Sequence, residues 1–246
     1  MLPEWPLIVN AFGDHYLTDA FAAGHLINKE ELIGRFRANF YQGPSLTSAG
    51  HDFFGRLAKR AFVGEVKAKF SGLETAEHIR VLGVPLPWRP DISSTGAFEE
   101  VLVQAAEAKP EMVGNLLVRT LHDRLNKEGV EVTNGAGDGT WTLTGDGHLT
   151  PATLAVMRKA VSRSAADITD PALRSGPVDA DAWCRRVWAY VPQPTPAGRA
   201  VLANLVREYT TPGSDILVAA AADLIKSEVD LLIRTLVKGE QKLKPI

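Results

Sequence analysis

The chain carries six histidines, at positions 15, 25, 51, 78, 122 and 148, and the first two bound a run, HYLTDAFAAGH, whose residue types suit a metal ion. His15 and Asp19 are four residues apart, so on a helix both side chains lie on one face, within reach of one ion. Imidazole and carboxylate are suitable donors for zinc or another divalent metal. His25 stands ten residues beyond His15, roughly 80° round an ideal helix, and an uninterrupted helix would not bring all three together. Gly24 is where the helix can end and turn the third ligand inward. Taken alone, a His-x-x-x-Asp pair is more often a surface ion pair or a capping interaction than a ligand pair. Here Tyr16, Leu17, Ala20, Phe21, Ala22 and Ala23 surround the polar residues. A carboxylate buried among them needs a compensating partner, and a cation serves. The expectation is a buried metal site.

A second set lies in the run HDRLN. His122 and Asn126 share a helix face, while Asp123 points partly aside, as an orienting partner or as a ligand of a neighbouring ion. The competing reading of His122 is a histidine stabilised by the dipole at a helix C-terminus. His51, in SAGHDFF, is either a ligand or packs beside Phe53 and Phe54. His148 and Asp146, in GDGHL, either close over a site or serve a loop. His78, in TAEHIR, is expected to be exposed. Cys184, in AWCRRVW, is expected to be a buried, inert thiol. No Gly-x-Ser-x-Gly elbow, phosphate-cradling Gly-x-x-x-x-Gly-Lys loop or dinucleotide fingerprint after a strand is present.

The elements that must position these residues are mainly helical. Apolar periodicity and breaker residues predict helices at about 14–24, 30–41, 47–70, 97–108, 110–127, 151–166, 179–190, 196–209 and 214–238. Thr47 or Ser48 can cap the third, and Pro110 suits the first turn of the fifth. Residues 82–95, with three prolines, read as an extended connection. Residues 130–144 alternate apolar and polar around a glycine-rich turn, which predicts a hairpin. The expected fold is therefore a mainly α, compact multi-helix domain over 1–246 with one small β-hairpin near 130–144. A separable C-terminal helical subregion at 195–246, after the Pro-rich 192–196, is the alternative.

Composition narrows the classes of function. With 246 residues, 45% hydrophobic and 23% charged, the chain is long enough for one sizeable core or two small ones. A net charge of −2 and a pI near 6.3 give no global basic field for nucleic acid or anionic lipid. One cysteine excludes an internal disulfide framework and a Cys-rich zinc ribbon. The N-terminal run MLPEWPLIVNAFGDH lacks a basic region, a long apolar stretch and a cleavage site. The expectation is a cytoplasmic location or export by a signal-less route, unless a leader or domain precedes Met1. No transmembrane segment is expected either, because charged residues interrupt even the apolar stretch 216–237.

HYLTDAFAAGH resembles the motif of the zinc-dependent phospholipase C and S1/P1 nuclease superfamily. The resemblance implies an all-helical fold, a zinc cluster and phosphoester hydrolysis. It casts His15, Asp19 and His25 as ligands, with Asp19 bridging two ions, and His51 as the next family histidine at a longer spacing. The chain departs from the family where Gly55 takes the place of a glutamate. It also has only fourteen residues before His15 to supply the family's upstream ligands, Trp5 and Asp14 being the suggestive ones. The later run LHDRLNKEGVEVTNGAGDGTWTLTGDGHL is similar to uncharacterised bacterial proteins that carry a HYLTDAFAAGH-like segment. That similarity implies that His122, Asp123, Asn126, Asn134, Asp146 and His148 complete a site begun by the first motif.

The functional expectation is a metal-dependent hydrolase of phosphoesters, phospholipase C-like, acting on a phosphoester or phospholipid. His15, Asp19, His25, His51 and His122 would hold zinc or another divalent ion, and Asp123 or Asp146 would accept the proton of the attacking water. The alternative is a non-catalytic helical binding or assembly module, or effector cargo of a bacterial secretion or injection system, with a structural metal. On either reading the apolar face of the last helix, with Leu224, Ile225, Leu231, Leu232, Leu236 and Val237, offers a route to oligomers.

Overall fold

Ten α-helices and three small antiparallel sheets, one of them formed by β3 (Arg80–Val81) and β4 (Val84–Pro85), make up the residues that the computed structural model describes, which are 4–71, 80–81, 84–85, 92–145, 147–169 and 179–230. The mainly helical expectation and the hairpin both hold. The chain packs as two compact units, one of Met1–Asn28 with Leu121–Asn204 and one of Lys29–Thr120 with Leu205–Ile246. No helix among the described residues is long and apolar enough to cross a membrane.

Unit one opens with α1 (Glu4–Asp19), which starts ten residues before the predicted Asp14. Pro6 does not prevent this, because a proline in the first turn loses only an orphan N–H donor. The helix also ends five residues before Gly24. Phe21 N and Ala22 N donate to Thr18 O and Asp19 O at 3.0 and 3.1 Å, the tightened bonding of a closing turn. A 3-10 turn (Ala23–Leu26) follows.

The hairpin pairs β5 (Val130–Thr133) with β6 (Thr140–Leu143), placing Val132 opposite Trp141 and Val130 opposite Leu143. All four are buried while Glu131 and Thr142 face out, which is the period-two pattern of a sheet with one covered face. Sequence reading missed a third strand, β7 (Gln193–Pro194), on the other edge of β5. It is two residues long and half proline, so it carries no alternation to read. Two further helices, α7 (Pro151–Thr169) and α8 (Ala180–Trp188), complete the unit, with α7 packed on both α1 and α8. A buried carboxylate, Asp167, is matched there by Arg163 at 2.7 Å and Arg186 at 3.2 Å.

At the tip of the hairpin, Asn134 Nδ2 donates to Asp138 Oδ2 at 2.9 Å and Asp138 N donates back to Asn134 Oδ1 at 3.2 Å. Lys159 of α7 pairs with the same Asp138 carboxylate. That contact and the Asn134 bond hold the Asp138 carboxyl below its usual range. A carboxylate depressed in the folded state contributes stability above its unfolded pKa, and the contribution is lost as pH falls through the folded pKa. Acidification below about pH 4 should therefore free the hairpin tip from α7. Amide exchange at Thr133 and Thr140 should report the release. Asp138→Asn should exchange fast at neutral pH and show no further acid step; an unchanged acid step would contradict this.

Unit two is built around phenylalanines. α2 (Lys29–Phe40) buries Leu32, Phe36 and Phe40. A two-residue loop at Gly43-Pro44 then joins β1 (Tyr41–Gln42) to β2 (Ser45–Leu46). Gly43 has φ +63°, so the gap between the predicted helices 30–41 and 47–70 is a tight hairpin that glycine permits. Thr47 caps α3 (Ser48–Ala61), accepting from Gly50 N at 3.1 Å, a contact worth about 1 kcal/mol.

The long helix predicted to Phe70 is two helices, because α3 stops at Ala61 and α4 (Gly64–Ser71) starts at Gly64 with φ +53°. The break lets Phe62 turn in and stack on Phe98 of α5 (Thr95–Ala108), centroid to centroid at 4.9 Å. Phe70 meets Phe98 edge-on at 5.1 Å, and Phe40 meets Phe53 at 5.2 Å. Such pairs add about 0.5–1.5 kcal/mol each beyond their buried area.

The divisions between the units fall inside α6 (Pro110–Glu128) and α9 (Pro196–Thr210). In unit two, α10 (Asp215–Ser227), capped by Ser214, packs on α3. Arg56 binds its entry loop at Pro212 O, Gly213 O and Asp215. Leu231, Leu232, Leu236 and Val237, expected on the last helix, lie outside the described residues, as does His78.

Candidate functional site

The first motif is divided between a helix and the turn after it. On α1, His15 Nε2 lies 3.9 Å from Asp19 Oδ2, with side chains 69% and 42% exposed. The i, i+4 spacing does put both on one face, but that face looks outward. The expectation of a buried pair is corrected. The deeply buried neighbours, Phe21, Ala22 and Ala23, belong to the turn that follows, while Tyr16 on α1 is itself exposed. Apolar residues after a helix end do not cover the helix.

Beyond α1 the turn delivers Gly24 and His25 to the end of α6. Gly24 N donates to Asn126 Oδ1 at 2.7 Å, across 102 residues of sequence. His25 is exposed, and its ring packs edge-on against that of His122, centroids 5.2 Å apart. His122 and Asn126 share a face of α6, as their spacing predicts, and Asn126 Nδ2 lies 3.4 Å from His122 Nδ1. Asp123 points aside and is exposed, with Oδ1 3.4 Å from the same Nδ1. The segment after the hairpin joins too. Gly145 N donates to Asn126 O at 3.0 Å, and His148 N donates to Gly145 O at 3.0 Å. Thr144 Oγ1 donates to His148 O.

Asn126 is thus the hub on which HYLTDAFAAGH, HDRLN and the TGDGH segment converge. It is 2% exposed, so its amide is committed to this role, since a buried polar side chain is retained with its hydrogen bonds made. Two glycines allow the approach. A Cβ on Gly24 would sit 2.3 Å from His122 Cδ2, and one on Gly145 would sit 2.5 Å from Asn126 Oδ1 and 2.7 Å from Ala22 Cβ. Sequence reading placed Asn126 on the right face and treated Gly24 as a stop signal. It gave neither glycine its packing role, because close approach leaves no periodic signature.

The remaining candidates fall elsewhere. His51, exposed on the first turn of α3, lies 3.9 Å from Glu107 Oε1 within unit two. Glu107 also accepts from Leu46 N at 3.0 Å. Asn134 is engaged at the hairpin tip and with Tyr190 O at 3.3 Å. Asp146 lies outside the described residues. Cys184 is exposed on α8, not buried as expected, because a one-turn stretch of apolar neighbours did not define the covered face.

The structure therefore sets His15 beside Asp19, His51 beside Glu107, and His122 beside both His25 and Asp123. Among the described residues, no three of His, Cys, Asp or Glu come together as ligands of one ion. The two imidazoles of His25 and His122 suit a borderline-soft divalent cation in donor type. No protein-family model matches the chain, nor does any curated protein or solved structure.

Proposed function

We propose that unit one is a metal-dependent phosphoesterase of phospholipase C-like type, with the His25–His122 pair as its metal-binding position. The observation that carries this reading is the convergence of three distant segments on Asn126, which brings the two imidazoles into edge-on contact. The resemblance of HYLTDAFAAGH to zinc phosphoesterases supplies the class of reaction. When bound, a divalent cation supplies Lewis acidity toward a phosphoryl oxygen and acidifies water. Asp123 Oδ1 lies 3.4 Å from His122 Nδ1, where it would orient the ring of the Nδ1–H tautomer and leave Nε2 for a metal. Asn126 holds the main chain of Gly24, and with it the approach of His25. His25 is exposed, so a substrate phosphate could approach it from solvent.

Turnover of bis(p-nitrophenyl) phosphate, measured after zinc loading and after EDTA, tests the reading. Activity should vanish in EDTA, return with zinc and fall by about 100-fold or more in His122→Ala. Full activity in EDTA, or none with any divalent ion, would overturn it.

A non-catalytic binding or assembly module is the second reading, favoured by a surface of unit one. Val9, Phe12 and Tyr16 recur along α1 at 52%, 65% and 62% exposure. Val9 and Tyr16 border a groove of about 650 Å³ that Trp188 of α8 also lines. Exposed apolar stripes of this kind mark interaction surfaces. Thermal stabilisation by zinc without any turnover would favour this reading over the enzyme.

A further inference from the structure

A feature of unit two stands apart from the histidine chemistry. A cavity of about 120 Å³ lies among five helices, walled by Phe36 of α2, Phe54 and Leu57 of α3, Ala105 of α5, Leu116 of α6 and Leu217 of α10. Of its sixteen lining residues, fifteen are apolar. The exception, Thr120, donates its hydroxyl to Leu116 O at 2.7 Å and so offers the cavity no free hydrogen. A water molecule needs two to four polar partners to be held inside a protein, and this lining supplies one side-chain oxygen, that of Thr120. The cavity is partly open, its lining residues Leu102, Met112, Val113, Leu116, Leu224 and Ile225 being only half-buried, and its apolar walls lack the dispersion partners that close packing gives elsewhere. An engineered apolar cavity of about 150 Å³ stays dry and accepts benzene.

We propose that this cavity is a binding site for a small uncharged hydrocarbon group, an aromatic ring or the end of an alkyl chain, independent of the histidine site of unit one. Size limits the ligand to about one ring or a few methylenes. The lining excludes any ligand that must bury a charge or an unpaired polar group. Phe36 of α2 and Phe53 and Phe54 of α3 line it and offer aromatic rings to an aromatic guest.

Thermal melts with benzene, and separately with decanoate, test the proposal and tell a ring from an alkyl end. A ligand at about tenfold its Kd should raise Tm by roughly 3 °C or more. In methyl-labelled wild type, benzene should shift the resonances of Leu57, Val113, Leu116 and Leu217 selectively. Ala221→Leu and Ala105→Leu, which add carbon to the cavity from two different helices, should abolish the response while leaving the fold intact. No rise in Tm with either compound, methyl shifts scattered over the surface, or an equal response in both filled variants would overturn it. The methyl map needs no variant, so it decides the question even if both substitutions unfold the chain.

Discussion

Replacing Asn126 with alanine is expected to lower the stability of unit one by about 2–4 kcal/mol, because it leaves Gly24 N–H buried without an acceptor and opens a cavity at the hub. Gly24 and Asn126 are both buried, and their 2.7 Å bond is a hydrogen bond that ties the first motif to α6. Most of the cost comes from the orphaned donor, since a buried amide with no partner forfeits its hydration. Equilibrium unfolding in urea, followed by far-UV circular dichroism, measures it. The same variant should release His25 from His122, so its stability loss and its loss of metal affinity should arrive together. A change below about 0.5 kcal/mol, the range of an ordinary surface substitution, would mean that Asn126 is not the hub.

Gly24→Ala should be nearly as costly, by a different route. Its Cβ would lie 2.3, 2.7 and 2.8 Å from Cδ2, Cγ and Nε2 of His122, and something must move. The His122 ring can swing on two torsions, but only by leaving His25. If it stays, the turn must shift and stretch the bond to Asn126. Overpacking of this kind costs about 1–3 kcal/mol. The metal affinity of the pair should fall by about 10-fold or more. Gly13→Ala is the control, since nothing lies within 4 Å of its added Cβ and it sits inside α1. It should be neutral or should stabilise by about 0.5–1 kcal/mol, as alanine does in a helix. Equal behaviour of the two variants in melts and zinc titration would contradict the close-approach argument.

Much of the fold was legible because helices announce themselves by period and caps. α5, α6, α7 and α9 begin within about two residues of expectation, and Thr47, Ser94, Asp179 and Ser214 all serve as side-chain caps. The hairpin was legible because Val130, Val132, Trp141 and Leu143 alternate around glycines. Breaks inside apolar runs were not. Phe62 and Gly64 interrupt what reads as one helix, since stacking on Phe98 is a tertiary gain that periodicity does not encode.

The same limit holds at the site. The i, i+4 rule placed His15 beside Asp19 and His122 beside Asn126, as the structure has them. It could not say which face was covered, and α1 turns His15 outward. The association of HYLTDAFAAGH with the HDRLN run is recovered at His25 and His122, while His51 stands with Glu107 in the other unit.

The most direct measurement is zinc binding by chelator-treated protein, titrated calorimetrically for wild type, His25→Ala, His122→Ala and the double variant. A metal position at this pair predicts stoichiometric binding by wild type. Each single variant should then weaken binding by about 100-fold or more, and the double variant should lose little beyond the single ones, because the two imidazoles act on one ion. No binding by wild type, or binding that survives both substitutions, would contradict it.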